Sequence, residues 1–141
     1  MSTNRVNPAA GWAKFDTLPR GPNGRLLCRR CGVEVPRGRI TFCSEGCIHE
    51  WKLRSQPRYL RRKVWERDRG RCALCPAVFP LLHGAWEADH IVPVVEGGGE
   101  VGLEGMRTLC RPCHQRATAR LMARLAEKRR AEKLRAQQEG A

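Results

Sequence analysis

The chain has 141 residues, with 27 Lys plus Arg against 14 Asp plus Glu, a formal charge of +13 and eight cysteines. At 41% hydrophobic and 29% charged, with no apolar run near the roughly 18 residues of a membrane span, it reads as a soluble folded protein of about one domain. That excludes a membrane protein and a disordered tail, and so large a positive excess calls for a polyanion partner, nucleic acid above all.

The opening Met-Ser-Thr-Asn-Arg-Val-Asn has no apolar secretory stretch, so an intracellular, cytoplasmic setting is expected and the cysteines read as metal thiolates rather than a disulfide scaffold. Residues 1–24, punctuated by Pro8, Gly11, Pro19, Gly21, Pro22 and Gly24, read as a flexible leader. Residues 25–56 form a first zinc module. In it Cys28-x2-Cys31 and Cys43-x3-Cys47 supply four thiolates, Val33–Val35 and Arg39–Phe42 are short strand candidates, and a helical turn or two follows from Ile48 to Leu53. His49 is an alternative to Cys47 as a ligand, although the cysteine set is complete without it. A helix is expected from about 57 to 69, with Pro57 in its first turn, an apolar line at Leu60 and Val64, and Gly70 as its stop. Arg58, Arg61, Arg62, Lys63 and Arg67 crowd its remaining faces and are candidate phosphate contacts.

A second four-thiolate set pairs Cys72-x2-Cys75 with Cys110-x2-Cys113. Each doublet comes from a tight turn that places two sulfurs about 2.3 Å from one ion, and two turns close a tetrahedron with no open position, as in a structural Zn²⁺ site. Between the doublets lie a short strand ending in Glu87-Ala-Asp89-His90-Ile-Val-Pro93, a Gly-rich loop at 97–99, and a second strand over Met106–Cys110. A long helix is expected from Pro112 to about Gln138, almost wholly charged beyond Ala126. Trp51, Tyr59, Trp65 and Trp86 are read as packing residues rather than base-stacking platforms.

Charge divides along these boundaries. Residues 1–47, 48–71 and 111–141 carry +5, +6 and +6, whereas residues 72–110 carry −4, with Arg107 as the single basic residue there. An acidic island between basic flanks suits a divalent cation inside a phosphate-binding surface. Asp89 beside His90, with His114 arriving from the zinc-stapled helix start, supplies a hard oxygen ligand, a base titrating near neutrality and a nitrogen ligand. Asp89 and His114 would then hold one ion while His90 deprotonates the attacking water, which is enough for metal-assisted phosphodiester hydrolysis. Alternation along a strand sends Asp89 and His90 to opposite faces, so the strand must bend near Ile91–Pro93 for both to serve one site. Asp89 and His114 must also approach within about 7 Å to share an ion.

Asp89-His-Ile-Val-Pro-Val94, the Gly-rich loop, Leu109-Cys-Arg-Pro-Cys-His114 and Cys72-x2-Cys75 together resemble the HNH endonuclease family. The preceding Cys28–Cys47 module, with Glu50-Trp-Lys-Leu-Arg-Ser55 and Tyr59-Leu-Arg-Arg-Lys-Val64, resembles the zinc-finger extension found before some such domains. The resemblance spans about residues 25–120. It implies a small zinc-stapled α+β fold, a ββα-metal core preceded by a treble-clef or ribbon-like zinc module, with the nuclease core at 57–126 and a charged helical tail at 127–141. It further implies cleavage of DNA, double-stranded above all, with two structural Zn²⁺ ions and one catalytic Mg²⁺, Mn²⁺ or Ni²⁺. On the family pattern His90 is the general base and Asp89 and His114 are ligands of the catalytic ion. One position departs from that pattern: the family's middle Asn is replaced by Gly105, which leaves open a zinc-stabilised nucleic-acid-binding module with weak or no catalysis. Glu104, Glu100 and His83 are the candidates to compensate.

Overall fold

A computed structural model of the chain describes residues 18–99 and 101–140. Most of the expected leader, and Glu100, therefore lie outside the described residues. The chain divides into two units, residues 1–60 and 61–141.

In the first unit, residues 19–27 form a turn closed by a bridge between Arg20 and Leu26, and Leu27 bridges Glu34 in turn. Glu34 holds this turn through its carboxylate, which accepts from the amides of Asn23 and Arg25, both at 3.0 Å. Helix α1 spans Glu45–Ser55, three residues earlier than its apolar residues suggest, because Ser44 caps it: the hydroxyl accepts from the Cys47 amide at 3.1 Å. No strand forms over Arg39–Phe42, and Val33–Val35 reduces to the single Leu27–Glu34 bridge. The cysteine turns consume the backbone bonds a ladder would need, as in Cys28 N–H to Val33 O and Arg29 N–H to Thr41 O. Phe42 packs on Trp51, and His49 Nδ1 pairs with the Tyr59 hydroxyl at 2.8 Å, which gives His49 a partner other than metal.

Helix α2 spans Pro57–Asp68. It stops where Arg69 and Gly70 both turn left-handed, at φ 53° and 69°. Only glycine fits at 70, since a Cβ there would lie 2.0 Å from the Phe79 carbonyl oxygen.

The second unit is a ββα core. Strands β1 (Trp86–His90) and β2 (Met106–Cys110) pair antiparallel in the register Trp86 with Cys110 and Asp89 with Arg107, and α3 (Arg111–Glu139) follows without a break. Pro112 sits in the first turn of α3 and the Cys110 sulfur caps it, accepting from the Cys113 amide at 3.5 Å. The core gathers Cys72, Leu109, Cys110 and Cys113 with Phe79 and Ala117. A core so small leans on polar struts. Arg61 lies 3.6 Å above the Trp86 ring and donates to the Trp86 carbonyl at 2.8 Å, and Arg67 donates to the Met106 carbonyl at 2.6 Å. Asp68 Oδ2 accepts from both the amide and the hydroxyl of the fully buried Thr108, at 3.0 and 2.9 Å. Together these bonds tie α2 to both strands, Arg61 to β1 and the helix end at Arg67 and Asp68 to β2. No helix among the described residues is long and apolar enough to cross a membrane.

Candidate metal centre and catalytic cleft

The eight cysteines gather into two sets, Cys28, Cys31, Cys43 and Cys47, and Cys72, Cys75, Cys110 and Cys113, with the sulfurs of each within 4.8 Å of one another. Four sulfurs about 2.3 Å from one ion in a tetrahedron are about 3.8 Å apart. The separations Cys31–Cys43 (3.5 Å), Cys43–Cys47 (3.4 Å) and Cys75–Cys110 (3.6 Å) approach that edge and far exceed the roughly 2.05 Å of a disulfide. Both sets therefore fit a structural Zn²⁺. Burial pushes the Cys72 thiol up, but the amides of Cys110 and Leu74 outweigh it and bring the group down to about 6. In the other set the amides of Cys31, Cys43 and Arg30 likewise overcome burial and take Cys28 to about 6, whereas burial and the Cys43 sulfur push Cys47 up to about 12. Backbone donors thus favour the thiolate form of one cysteine in each set, the form that binds metal.

Strand β1 ends at His90, and the chain bends at Ile91 and Val92. Asp89, His90, Arg107, His114, Arg120 and Arg124 all line one open depression of about 410 Å³ in the second unit. Asp89 Oδ1 lies 3.8 Å from His114 Nε2. Two ligands about 2.1 Å from one octahedral ion are separated by about 3.0 Å when adjacent and about 4.2 Å when opposite. The observed gap falls between these limits, so this pair fits a shared divalent ion with small adjustments and leaves most of the coordination shell to solvent or phosphate oxygen.

The other oxygen, Asp89 Oδ2, accepts from Arg107 Nε at 2.9 Å. Sequence reasoning did not assign Arg107; the only signal for it was its position as the lone basic residue of the acidic island. Around the family's missing Asn the loop is braced by backbone bonds, the Gly105 carbonyl accepting from Ile91 N–H at 2.9 Å and its amide donating to Gly102 O at 3.1 Å, and by Arg67, which donates to the Leu103 and Met106 carbonyls on either side. Val101 fills the adjacent space, 2.4 Å from where a Cβ on residue 105 would lie. Glu104 lines a different depression, of about 450 Å³, with Arg67 and Asp68, while the His83 Nδ1 caps the Ala85 amide at 3.1 Å.

The candidate phosphate contacts divide by environment. Arg61 and Arg67 spend their guanidinium groups on protein carbonyls, as above. Arg62 and Lys63 both pair with Glu66, at 2.8 and 2.6 Å, and Arg58 is exposed.

The HNH endonuclease family profile matches residues 72–120, from the first cysteine of the second set through the start of α3. The chain carries an HNH endonuclease domain. It lies downstream of a four-cysteine cluster consistent with a zinc-finger extension. Among curated proteins the chain is similar to the DNA annealing helicase and endonuclease ZRANB3 of Homo sapiens at 32% identity, of Bos taurus at 31% and of Mus musculus at 30%, each over 154 aligned positions. The alignments cover 76% of this chain but 14% of each relative. No solved structure matches at a comparable level of significance.

Proposed function

We propose that the chain is a metal-dependent DNA endonuclease that hydrolyses phosphodiester bonds in the depression bounded by β1 and the start of α3. The observation that carries this reading is the 3.8 Å approach of Asp89 to His114 with His90 lining the same depression. The endonuclease named in the relatives supports the same chemistry. Asp89 and His114 would hold a divalent ion, which when bound supplies Lewis-acid stabilisation of charge on a non-bridging phosphate oxygen. His90 takes the proton from the attacking water, a role suited to an imidazole near neutral pH. Arg120, on the α3 face of the depression, would meet a backbone phosphate, as would Arg124 on leaving the Glu96 carboxylate 3.4 Å away, and the exposed Arg58 would make the same class of sequence-independent contact. Cys72, Cys75, Cys110 and Cys113 would hold a Zn²⁺ that, when bound, would fix the start of α3 and with it His114, next to Cys113, without a large core.

The reading is tested by incubating zinc-loaded protein with supercoiled plasmid, with and without added Mg²⁺, Mn²⁺ or Ni²⁺, beside His114→Ala. Conversion to open-circular or linear DNA that needs the added ion and is lost in the variant is the expected result; conversion indifferent to both, or none at all, refutes it. The second reading, a nucleic-acid-binding module without catalysis, is favoured by one specific observation, the hold of Arg107 on Asp89.

A further inference from the structure

The carboxylate assigned to the ion already has a cationic partner. Arg107 stands opposite Asp89 in the strand register, and its Nε–H bonds Oδ2 at 2.9 Å while Oδ1 faces His114. Both side chains are mostly buried, 19% and 25% exposed, so solvent screens the pair less than it would on an open surface. A divalent ion arriving at Asp89 meets a carboxylate neutralised by a guanidinium, and the two cations repel each other. Arg107 also lines the depression that holds the acidic Asp68 and Glu104, so it borders open space beyond its contact with Asp89. A backbone phosphate in the Asp89 depression offers that guanidinium the planar two-oxygen partner it matches best.

We propose that Arg107 is a gate on metal loading. Without DNA it holds Asp89 and keeps the site's affinity for the divalent ion low; a phosphate in the cleft draws it away and leaves Asp89 and His114 to the ion. Arg107 is on this account a positioning residue, and the proposal rests on the nuclease reading given above.

The test measures Mn²⁺ binding to the full zinc-loaded chain from the resonance of free Mn²⁺, with and without a short DNA duplex whose own uptake is subtracted. Wild type, Arg107→Gln, Arg107→Lys and His114→Ala are compared, and zinc content reports that each variant is folded. Without DNA, Arg107→Gln is expected to bind Mn²⁺ about tenfold tighter than wild type, equivalent to about 1.4 kcal/mol. Arg107→Lys, which keeps the charge, should stay near wild type. The duplex should bring wild type to within about threefold of Arg107→Gln and leave the latter little changed. Equal affinities for wild type and Arg107→Gln without DNA, both abolished by His114→Ala, overturn the gate and leave the nuclease reading standing. A Lys variant that binds as tightly as the Gln variant also overturns it, because lost packing and not lost charge then explains the effect. Mn²⁺ uptake that His114→Ala does not alter, with DNA or without, overturns the nuclease reading and the gate with it.

Discussion

Replacing Thr108 by Val removes one hydroxyl donor from a fully buried position without changing the shape of the side chain. In the native protein that hydroxyl lies 2.9 Å from Asp68 Oδ2, and the same oxygen takes the Thr108 amide at 3.0 Å. A hydrogen bond to a charged group contributes about 1.5–3 kcal/mol. The Asp68 carboxylate keeps Arg67 and the backbone amide after the change, so the loss falls near the lower end, about 1.5 kcal/mol. For a folded unit of this size that corresponds to a fall in Tm of roughly 6–12 °C. Urea or thermal unfolding at fixed free zinc reads the effect, and fixed zinc matters because any ligand of the native state adds to apparent stability. Asp68→Asn should cost more, since it weakens the bonds to both Thr108 donors and to Arg67. The double variant should then be less destabilised than the sum of the two by about 1 kcal/mol or more, as for residues in direct contact. A Thr108→Val protein within about 0.3 kcal/mol of wild type would refute the view that this strut, more than apolar burial, fixes β2 and the Arg107 it carries.

The same strut has a pH signature. Burial raises the Asp68 carboxyl, but the bonds from Arg67 and Thr108 outweigh it and hold the group below the usual carboxylate range. A depressed native value means the unfolded chain binds the proton more tightly, so the stabilisation is fully present above the unfolded pKa of about 3.9 and is lost as pH falls through the lower native value. The stability difference between wild type and Asp68→Asn should therefore stay level from pH 8 to about 5, and a decline between pH 8 and 6 would contradict the assignment. Gly105→Asn, which restores the residue type of the family pattern, should destabilise by about 1–3 kcal/mol in urea unfolding because its Cβ would lie 2.4 Å from the Val101 Cβ, and a variant as stable as wild type would contradict this crowding. Chelation of zinc should unfold both units, seen as loss of near-ultraviolet dichroism with release of one ion per cysteine set; a fold that survives complete zinc removal would show that the sulfurs are packing residues only.

Much of the ββα core was legible because its punctuation is local. Proline and the cysteine doublets mark the start of α3 and the extent of β2, and Asp89, His90 and His114 carry recognisable chemistry at recognisable spacing. What the sequence concealed depends on partners far away along the chain. Arg61 and Arg67 looked like Arg58, exposed cations on a basic helix, yet their partners lie 25 and 39 residues away, on the strands. The Asp89–Arg107 pair appears only once the antiparallel register is known, since 18 residues separate the two. In the first unit, Val33–Val35 and Arg39–Phe42 read as short strands, but the turns that gather the four sulfurs direct the backbone bonds elsewhere. The loop at Gly105 follows the same logic: Val101 and two backbone bonds occupy the space where an Asn side chain was expected to act.

The measurement that bears most directly on the central claim is the rate of plasmid nicking by His90→Ala against wild type, with both proteins shown to hold equal zinc and equal Mn²⁺. General-base catalysis is worth about 10²–10⁴-fold, so the variant should nick at least a hundredfold more slowly while keeping its metals. A variant within about threefold of wild type, or a wild type that carries its full complement of metal and leaves the plasmid intact, would contradict the assignment of His90 and of the cleft as a hydrolytic site.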